Sequence, residues 1–294
     1  MTIVRRPLRA LMRRASVALS RPRDILSNRF VSAKLLPLRE QESHAVLWHV
    51  QTSSSTDELP VPPAELTNRW NLTPDAYLRG GQIDSETMLA LLAEVDVPVD
   101  SVSRVLDFGC AEGRVLRFLP RRSDSELWGV DINAERIAWA QQHLPAPFRF
   151  ATTTTAPHLP FEDNYFDLVY CISVFTHISD LADAWFLEVL RVLRPGGHVY
   201  LTVHDEHTVE LLRGAYREKR RHAFMVDLVR QFDEQTGVLS QQWAYFTIFA
   251  DPGAQVFYDA DYLVGKWSKI ADCLTVRREA IGYQTALVFR KRSR

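Results

Sequence analysis

The stretch VLDFGCAEGRVLRFL, Val105–Leu119, decides the fold, because its pattern changes twice over a short distance. An apolar run ends in Asp107, and the small residues Gly109, Ala111 and Gly113 then lead into apolar residues at helical spacing. Small residues at such a turn allow a ligand to approach the backbone at the amino end of a helix. The turn lacks the full glycine spacing of a dinucleotide site and the Lys-Ser or Lys-Thr of a phosphate-binding loop. It predicts a strand, a ligand-binding turn and a helix.

Around this turn, apolar runs alternate with helical patterns. The predicted strands are Arg104–Phe108, Glu126–Val130, Phe148–Thr152, Asp167–Ile172 and His198–His204. The predicted helices are one that Asp84 caps, Gly113–Leu119, Ala134–Leu144 with Asn133 as its cap, and one from a Ser179 cap to Leu193. Such alternation is typical of a parallel sheet with helices on both faces. The expected fold class is therefore α/β, a doubly wound Rossmann-like sheet.

The final third of the chain has a different pattern. A charged helical stretch, Glu210–Arg230, is followed by two aromatic and β-branched runs on either side of the turn signal Asp251-Pro252-Gly253, which predicts a hairpin. Two further strands follow, Cys273–Arg278 and Gln284–Arg290. An insertion of about 206–265 before these two strands would lie over the carboxyl edge of the sheet, where ligands bind in open α/β folds. We expect it to form a lid.

The second predicted strand ends in an acid. Asp131 comes 24 positions after Asp107 and is followed by Ile132. In a doubly wound fold, a carboxylate at this place accepts hydrogen bonds from the two hydroxyls of a ribose. Ile132 would pack against an adenine, and Asp107 suits an amino group near the turn. These features indicate a ligand that has a ribose but no pyrophosphate.

The chain resembles the class I S-adenosylmethionine-dependent methyltransferases of the small-molecule type. The resemblance rests on VLDFGCAEGR, on the acid Asp131, on PFEDNYFDLVYCISVFTHI and on FLEVLRVLRPGGHVYLTV, in this order, and it covers about Arg79 to Arg290. Four motifs at the family's spacing are far more specific than the glycine turn alone. The resemblance implies a seven-stranded, mostly parallel sheet whose last strand is antiparallel, and S-adenosyl-L-methionine as the cofactor.

Site residues follow from the resemblance position by position. The cofactor-binding residues are Arg79, Asp107, Gly109, Ala111, Gly113, Asp131, Ile132 and Ser173. Asp107 lies near the cofactor's amino group, Asp131 holds the ribose, and Arg79 either pairs with the carboxylate or is an exposed arginine at a helix entry. Two positions depart from the family. Ala111 replaces a glycine, and its methyl group requires a negative φ, whereas Thr152–Thr155 stands where many relatives have an acid near the adenine.

Two histidines are the candidates for catalysis. Methyl transfer needs the acceptor held in line with the methyl group, and a base is required only where the acceptor must lose a proton. His177, just past the fourth strand, is such a base or a histidine bonded to the backbone. His204 begins HDEH at the end of the fifth strand, where a contact with the substrate is favoured over a metal site. The cysteines Cys110, Cys171 and Cys273 also lack metal-ligand spacing, so no metal is predicted.

The expected activity is S-adenosylmethionine-dependent methylation of a small-molecule, glycan or lipid-linked acceptor, with oxygen as the preferred target. The alternatives are an inactive cofactor-binding module and an N- or C-methyltransferase of a secondary metabolite. Methylation of nucleic acid is disfavoured, because the net charge is −1 and the fourth strand ends in CISV without a catalytic tetrapeptide.

The first part of the chain is predicted to lie outside the catalytic domain. Residues 1–65 are a basic tail and linker, and residues 66–294 are the methyltransferase domain. Arginines crowd the stretch before Asp24, which suits a weak peripheral contact with an anionic membrane or, alternatively, a solvated tail. A transit peptide ranks below the solvated tail. No apolar run has the length of a membrane span, so the expected localisation is cytoplasmic, with a peripheral membrane contact as the variant.

Overall fold

The computed structural model describes residues 59–67, 73–99, 102–250 and 253–293. The basic tail and most of the linker predicted from the sequence lie outside the described residues. No helix in these ranges is both long enough and apolar enough to cross a membrane.

Seven strands form the main sheet: β1 Arg104–Phe108, β2 Glu126–Asp131, β3 Phe148–Thr152, β4 Phe166–Cys171, β5 Leu193–Asp205, β8 Ala271–Ile281 and β9 Gln284–Lys291, with β6 and β7 in an insertion described below. Their order in the sheet is β3-β2-β1-β4-β5-β9-β8. The first five are parallel, whereas β9 is antiparallel to both β5 and β8. The predicted sheet, including its antiparallel last strand, is confirmed. The expected start of β5 at His198 was five residues late, because Leu193 and the following residues RPGG belong to the strand.

Helices cover both faces of this sheet. They are α1 Ala64–Thr67, α2 Pro74–Glu94, α3 Ala134–His143 and α4 Ala182–Val192. Apolar residues of α2 and α3 pack on one face, and those of α4 on the other. The prediction that Asp84 caps α2 is wrong, because Thr73 caps the helix eleven residues earlier and Pro74 occupies its first turn. The Ser179 cap on α4 is also wrong, since that helix begins at Ala182 with no side-chain cap.

The helix predicted for Gly113–Leu119 is replaced by turns that end in a 3₁₀ helix, Leu116–Phe118. The backbone at Gly113 has a φ of +77°, which an α-helix cannot contain. The chain therefore leaves β1 through an irregular segment, and the left-handed residues of this segment lie at the carboxyl edge of the sheet.

The insertion between β5 and β8 contains α5 Glu206–Arg213, α6 Ala223–Thr236, a hairpin of β6 Tyr245–Ala250 and β7 Gly253–Tyr258, and α7 Ala260–Trp267. The predicted hairpin is confirmed. The single helix expected over Glu210–Arg230 is wrong, because α5 stops before Gly214 and α6 starts nine residues later.

The insertion has a small core of its own. Phe246 stacks on Phe257 at 4.9 Å and on Phe232 at 5.2 Å between ring centroids. Buried residues of α5 and α6 complete this cluster. The end of β5 pairs with β7, His204 with Phe257 and Asp205 with Tyr258. The insertion is thus packed internally and hydrogen bonded to the central strand of the sheet.

Candidate functional site at the carboxyl edge of the sheet

The turn after β1 has three left-handed residues. Gly109 has a φ of +86°, Ala111 of +51° and Gly113 of +77°. A Cβ atom on Gly109 would lie 2.3 Å from Cγ2 of Val174, and one on Gly113 would lie 2.9 Å from Cδ1 of Leu144. Both glycines are therefore required for close packing as well as for their backbone angles. The negative φ expected for Ala111 is wrong, because the observed φ is positive. A left-handed conformation costs about 1–2 kcal/mol in a residue with a side chain.

Asp131 holds this turn in place. One carboxylate oxygen accepts a hydrogen bond from the N–H of Ala111 at 2.9 Å, and the other accepts one from the N–H of Asn133 at 2.8 Å. The Asn133 side chain in turn accepts two N–H groups at the start of α3, which confirms it as the helix cap. Each carboxylate oxygen can accept more than one hydrogen bond. Asp131 therefore fixes the turn and keeps capacity to accept ligand hydroxyls.

Asp107 is buried at the end of β1. Its carboxylate accepts a hydrogen bond of 2.8 Å from the hydroxyl of Tyr170, its register partner on β4. Burial raises the pKa of Asp107 to about 7, against the opposing effects of the Tyr170 hydroxyl and the Arg114 charge. Tyr170 was not identified from the sequence, because it lies in an apolar strand pattern and only the pairing of β1 with β4 reveals its role.

Helix α2 packs directly against the turn. A Cβ on Gly81 would lie 2.2 Å from the carbonyl oxygen of Arg114, so only glycine permits this approach. Asp84 lies one turn further along α2 and accepts a hydrogen bond of 2.6 Å from the Arg114 guanidinium. Arg79 is exposed on the same helix, and within the described ranges it has no ion pair. Residues 77–82 thus lie beside the glycine turn, and the role of Arg79 stays a prediction.

A buried polar cluster lies behind the turn. Glu112 lies 2.8 Å from Nε of Arg136, whose Nη2 donates to the Leu66 carbonyl at 3.1 Å. Arg117 is buried and donates to the Pro60 carbonyl at 2.9 Å. These contacts fasten residues 59–67 to the turn. Sequence reasoning missed them, because an arginine at helical spacing is ordinarily read as exposed.

Ser173 follows β4 in a left-handed conformation, with a φ of +59°. Its N–H donates to the Thr202 hydroxyl at 2.8 Å, and its own hydroxyl lies 2.9 Å from the Gln284 side-chain nitrogen. The Thr202 hydroxyl donates to the Gln284 side-chain oxygen at 2.6 Å. Gln284 of β9 therefore joins the ends of β4 and β5. It lies far from every motif in the sequence, which is why it was not among the predicted residues.

His177 belongs to a 3₁₀ helix, Phe175–His177, and its ring is exposed. Its Nδ1 lies 2.7 Å from the carbonyl oxygen of Ala254 on β7. A carbonyl oxygen only accepts, so Nδ1 carries the proton and Nε2 of the neutral ring carries a lone pair. The backbone bond that was the alternative for His177 therefore exists, and it also orients Nε2 as a proton acceptor.

His204 is buried at the end of β5, between the rings of Phe257 at 5.0 Å and Tyr283 at 5.4 Å. Burial lowers its pKa to about 3, and the His177 ring acts in the same direction when it is protonated. Its Nδ1 is buried and has no hydrogen-bond partner within the described part of the chain. His204 is therefore a neutral ring at physiological pH.

The remaining residues of HDEH have structural partners. Asp205 caps α5, where it accepts from the N–H of Thr208 at 2.9 Å. Glu206 accepts from the N–H of Ala260, and His207 pairs with Glu279. In the described ranges, no group of three or more histidine, cysteine or acidic side chains is arranged to hold a metal.

The side of the edge expected to contact adenine is formed by Ile132 and the threonines after β3. The Ile132 side chain is 50% exposed at the start of the segment that leads into α3. Thr152 and Thr153 are buried, and the Thr153 N–H donates to the backbone carbonyl of Asp131. An exposed isoleucine beside the carboxylate provides an apolar surface for a planar base.

These residues fit the methionine nucleoside that the resemblance implies. Gly109 and Gly113 form a left-handed turn in which a Cβ would clash with neighbouring side chains, Asp131 presents a carboxylate for hydroxyls, and Ile132 offers apolar surface. Asp107 provides a buried carboxyl group on the side of the turn where an amino group is expected.

Comparisons with known proteins agree with this geometry. A family model described as a methyltransferase domain matches residues 106–201. A malonyl-[acyl-carrier protein] O-methyltransferase from Enterobacter lignolyticus is 29% identical over 149 residues, 50% of this chain and 57% of that protein. A fatty-acid O-methyltransferase from Mycolicibacterium smegmatis is 35% identical over 101 residues, 34% of this chain and 36% of that protein.

A crystal structure of magnesium protoporphyrin IX methyltransferase from Synechocystis, with bound S-adenosylhomocysteine, aligns with 75% of this chain and 88% of that chain, at a TM-score of 0.48 and 15% identity. The chain spans 57% and 36% of the two curated relatives above, which is less than two thirds of either. The matched domain covers β1 to the middle of β5 and contains the glycine turn, Asp131 and the strand that ends before Ser173. Residues 106–201 therefore match the methyltransferase domain family, in agreement with the resemblance to the class I S-adenosylmethionine-dependent methyltransferases.

Proposed function

We propose that the protein transfers a methyl group from S-adenosylmethionine to an oxygen of a small-molecule or lipid-linked acceptor. The observation that carries this proposal is the Asp131 carboxylate at the end of β2, which is hydrogen bonded to the left-handed turn at Ala111. The arrangement places a carboxylate that can accept hydrogen bonds from ribose hydroxyls next to the backbone of the glycine turn. It suits a nucleoside without a pyrophosphate.

In this proposal, the cofactor's amino group lies near Asp107, its ribose at Asp131 and its adenine against Ile132. Arg79 and the backbone near Ser173 complete the binding site from two other elements. S-adenosylmethionine supplies an electrophilic methyl group on a sulfonium. The protein's contribution is to orient the acceptor towards it and to exclude water.

His177 is the proposed general base. Its Nε2 lone pair accepts the proton of an acceptor hydroxyl, and the bond from Nδ1 to Ala254 holds the ring while the positive charge develops. His204, neutral and with a buried Nδ1 that lacks a partner, is proposed to accept a hydrogen bond from the acceptor at the inner end of the site. That contact requires the insertion to open, which is the proposed role of residues 206–265 as a lid.

The acceptor class is supported by the relatives. One is named for a malonyl group on an acyl-carrier protein and the other for a fatty acid, and both names specify methylation at oxygen. We therefore place an acyl or other lipid-like acceptor first and a glycan second. The aromatic side chains of the insertion suit the apolar part of such a molecule.

Calorimetric titration with S-adenosylhomocysteine tests the cofactor part of the proposal. We expect binding by the wild-type chain and at least a tenfold loss in Asp131→Ala, because a charged acceptor of two hydroxyls is removed. Asp124→Ala is the control, since this exposed carboxylate lies before β2 at the opposite edge of the sheet.

Three outcomes separate the alternatives. Binding that depends on Asp131 justifies a search for acceptors with labelled S-adenosylmethionine, starting with fatty acids and hydroxylated lipids. Equal affinity in Asp131→Ala and wild type would reject the cofactor site. Binding without transfer to any acceptor of these classes would favour an inactive binding module.

A further inference from the structure

The connection between α5 and α6 is strongly cationic. Arg217, Lys219, Arg220 and Arg221 are all exposed, and the only acid among them is Glu218. Glu218 lies 3.9 Å from Arg217, but its side chain is 94% exposed, so this pair compensates little charge. We call residues 217–224 the cationic turn.

Three of these cations form no close ion pair, although Lys219 acts electrostatically on Glu279 of β8. Within the described ranges, Lys219, Arg220 and Arg221 form no ion pair. Nζ of Lys219 lies 3.8 Å from the centre of the Tyr216 ring, and Nε of Arg221 donates to Nε2 of His222 at 2.9 Å. These contacts hold the side chains without neutralising them. The turn therefore presents net positive charge to solvent.

The rest of α6 differs from its first turn. Arg230 is paired with Asp227 at 3.2 Å and with Glu234 at 2.9 Å, and Asp233 adds a third acid, so the helix body carries more acidic than basic side chains. The positive surface is consequently confined to the cationic turn. The whole chain has a net charge of −1, which makes this local excess a feature of one surface.

An exposed aromatic ring lies in the same segment. Phe224 is 51% exposed, whereas Met225 and Val229 of the same helix are buried in the core of the insertion. The insertion therefore does not need Phe224 for its own packing. A phenyl ring among unpaired cations matches the interface of a bilayer, where apolar side chains enter the headgroup region and cations meet anionic lipids.

We propose that the cationic turn docks the insertion onto an anionic lipid surface. Charges on the turn attract lipid headgroups within a Debye length of about 10 Å. The local excess of positive charge therefore determines this attraction, and the net charge of the whole chain does not. A free phosphate ion is a less suitable ligand, because it would require several donors that point at one position and would make no use of the exposed ring of Phe224. A polyanion such as RNA is the competing occupant, and the test includes it.

The cationic turn also lies close to the proposed acceptor site. This part of the inference rests on the proposed function. His222 contacts Tyr283 at 5.2 Å, and Tyr283 contacts His204 at 5.4 Å between ring centroids. The membrane-facing turn and the inner end of the proposed acceptor site are therefore two ring contacts apart. A lipid acceptor would approach through the surface that the turn presents.

Vesicle flotation with the full chain tests the docking without any activity assay. The probes are phosphatidylcholine vesicles with and without phosphatidylserine. We expect binding only to the anionic vesicles, and a roughly fivefold weaker affinity for each cation removed. Arg220→Gln should show this loss, and Lys219→Gln, Arg220→Gln and Arg221→Gln combined should lose on the order of 100-fold. Phe224→Ser should weaken binding at constant charge.

Arg121→Gln is the matched control. Arg121 is an exposed arginine before β2, at the opposite edge of the sheet, and it also lacks an ion pair within the described ranges. Every variant keeps the basic N-terminal region, so a difference between Arg220→Gln and Arg121→Gln reports the turn itself. Equal vesicle affinities in these two variants would overturn the proposal. Selective binding of a short RNA over anionic vesicles, lost in Arg220→Gln, would overturn it in favour of a nucleic-acid surface.

The same variants separate this inference from the proposed function. S-adenosylhomocysteine affinity should be unchanged in all of them, because the cationic turn does not contact the glycine turn. Loss of vesicle binding with intact cofactor binding supports the docking surface. If the wild-type chain binds vesicles through the turn but does not bind S-adenosylhomocysteine, the proposed function fails and the docking surface stands.

Discussion

The carboxylate of Asp131 accepts a hydrogen bond of 2.9 Å from the N–H of Ala111 and thereby joins the end of β2 to the left-handed turn after β1. The second oxygen serves the N–H of Asn133 at 2.8 Å. One side chain thus organises both the glycine turn and the entry to α3. Each of its two oxygens already accepts a backbone hydrogen bond in the protein without ligand.

Asp131→Asn should separate the structural role of this residue from its role in binding. Asparagine keeps one acceptor oxygen, so one of the two N–H groups loses its partner, at a cost of about 1–3 kcal/mol in the free energy of unfolding. Urea denaturation checks this. Asp124→Asn, at an exposed position, should change the unfolding free energy by less than about 0.5 kcal/mol. Equal values for the two variants would show that the hydrogen bonds to Asp131 contribute nothing.

Ala111→Gly should stabilise the protein. Glycine adopts a φ of +51° without the penalty of a side chain, and the gain of about 1–2 kcal/mol exceeds the added entropy of the unfolded chain. Ala138→Gly in the middle of α3 provides a control with the opposite sign, because glycine destabilises a helix by about 1 kcal/mol. Thermal unfolding of both variants measures the two effects. Destabilisation by Ala111→Gly would mean that the methyl group makes contacts worth more than its strain.

Asp107 should make the free energy of unfolding decrease with pH and the affinity for S-adenosylhomocysteine increase with pH. Burial raises its pKa from 3.8 to about 7, so the unfolded chain releases this proton at lower pH than the folded chain. The free energy of unfolding should therefore decrease as the pH rises from about 4 to about 7. The slope should be smaller in Asp107→Asn, measured by urea denaturation across this range.

Ligand binding supplies the second half of this prediction. The cofactor's ammonium group favours the ionised carboxylate, so the affinity for S-adenosylhomocysteine should increase with pH up to about 7. A wild-type affinity that stays constant between pH 5 and 7 would contradict the placement of the amino group at Asp107.

Gln284 should position the segment after β4. Gln284→Leu removes the partner of the Ser173 and Thr202 hydroxyls, and Gln284→Glu keeps an oxygen for the Thr202 hydroxyl. We expect lower kcat in Gln284→Leu and partial recovery in Gln284→Glu, because the left-handed Ser173 is held by this network. A purely structural role would lower the unfolding free energy of both variants and leave the kcat of the folded protein unchanged.

His177→Ala should lower turnover by on the order of 100-fold or more if the acceptor loses a proton to this ring. Affinity for S-adenosylhomocysteine should be preserved. His177→Gln is the informative companion, since its side chain can still donate to the Ala254 carbonyl but cannot accept a proton. Wild-type rates in His177→Gln would make the bond to Ala254 the whole role of the residue.

The sheet could be predicted from the sequence because its strands are short, apolar and separated by clear turn signals. β1 and β3 begin and end where the pattern predicts. Helix boundaries were less accurate. The cap of α2 was placed at Asp84, because a good capping residue lies there, yet its carboxylate pairs with Arg114 from the turn. Tertiary partners decide such cases, and they are far away in sequence.

In the candidate site too, some residues could be predicted from local sequence patterns and others depend on tertiary contacts. Asp107 and Asp131 lie at strand ends, which a pattern can locate. Tyr170 and Gln284 act through strands that become neighbours only when the sheet forms. His204 was recognised as a residue at the end of β5, but its burial depends on Phe257 of the insertion and on Tyr283 in the turn between β8 and β9. The sequence contains no local signal for these contacts.

The pairing of β5 with β7 limits how the insertion can move. His204 and Asp205 continue the ladder of the sheet into the hairpin, and the bond from His177 to Ala254 lies on the same strand. The insertion therefore cannot swing on a loose linker, since the ladder and the histidine bond must be released together. Amide hydrogens of β7 would then exchange with solvent as one cooperative unit, at a rate set by the opening of the whole hairpin.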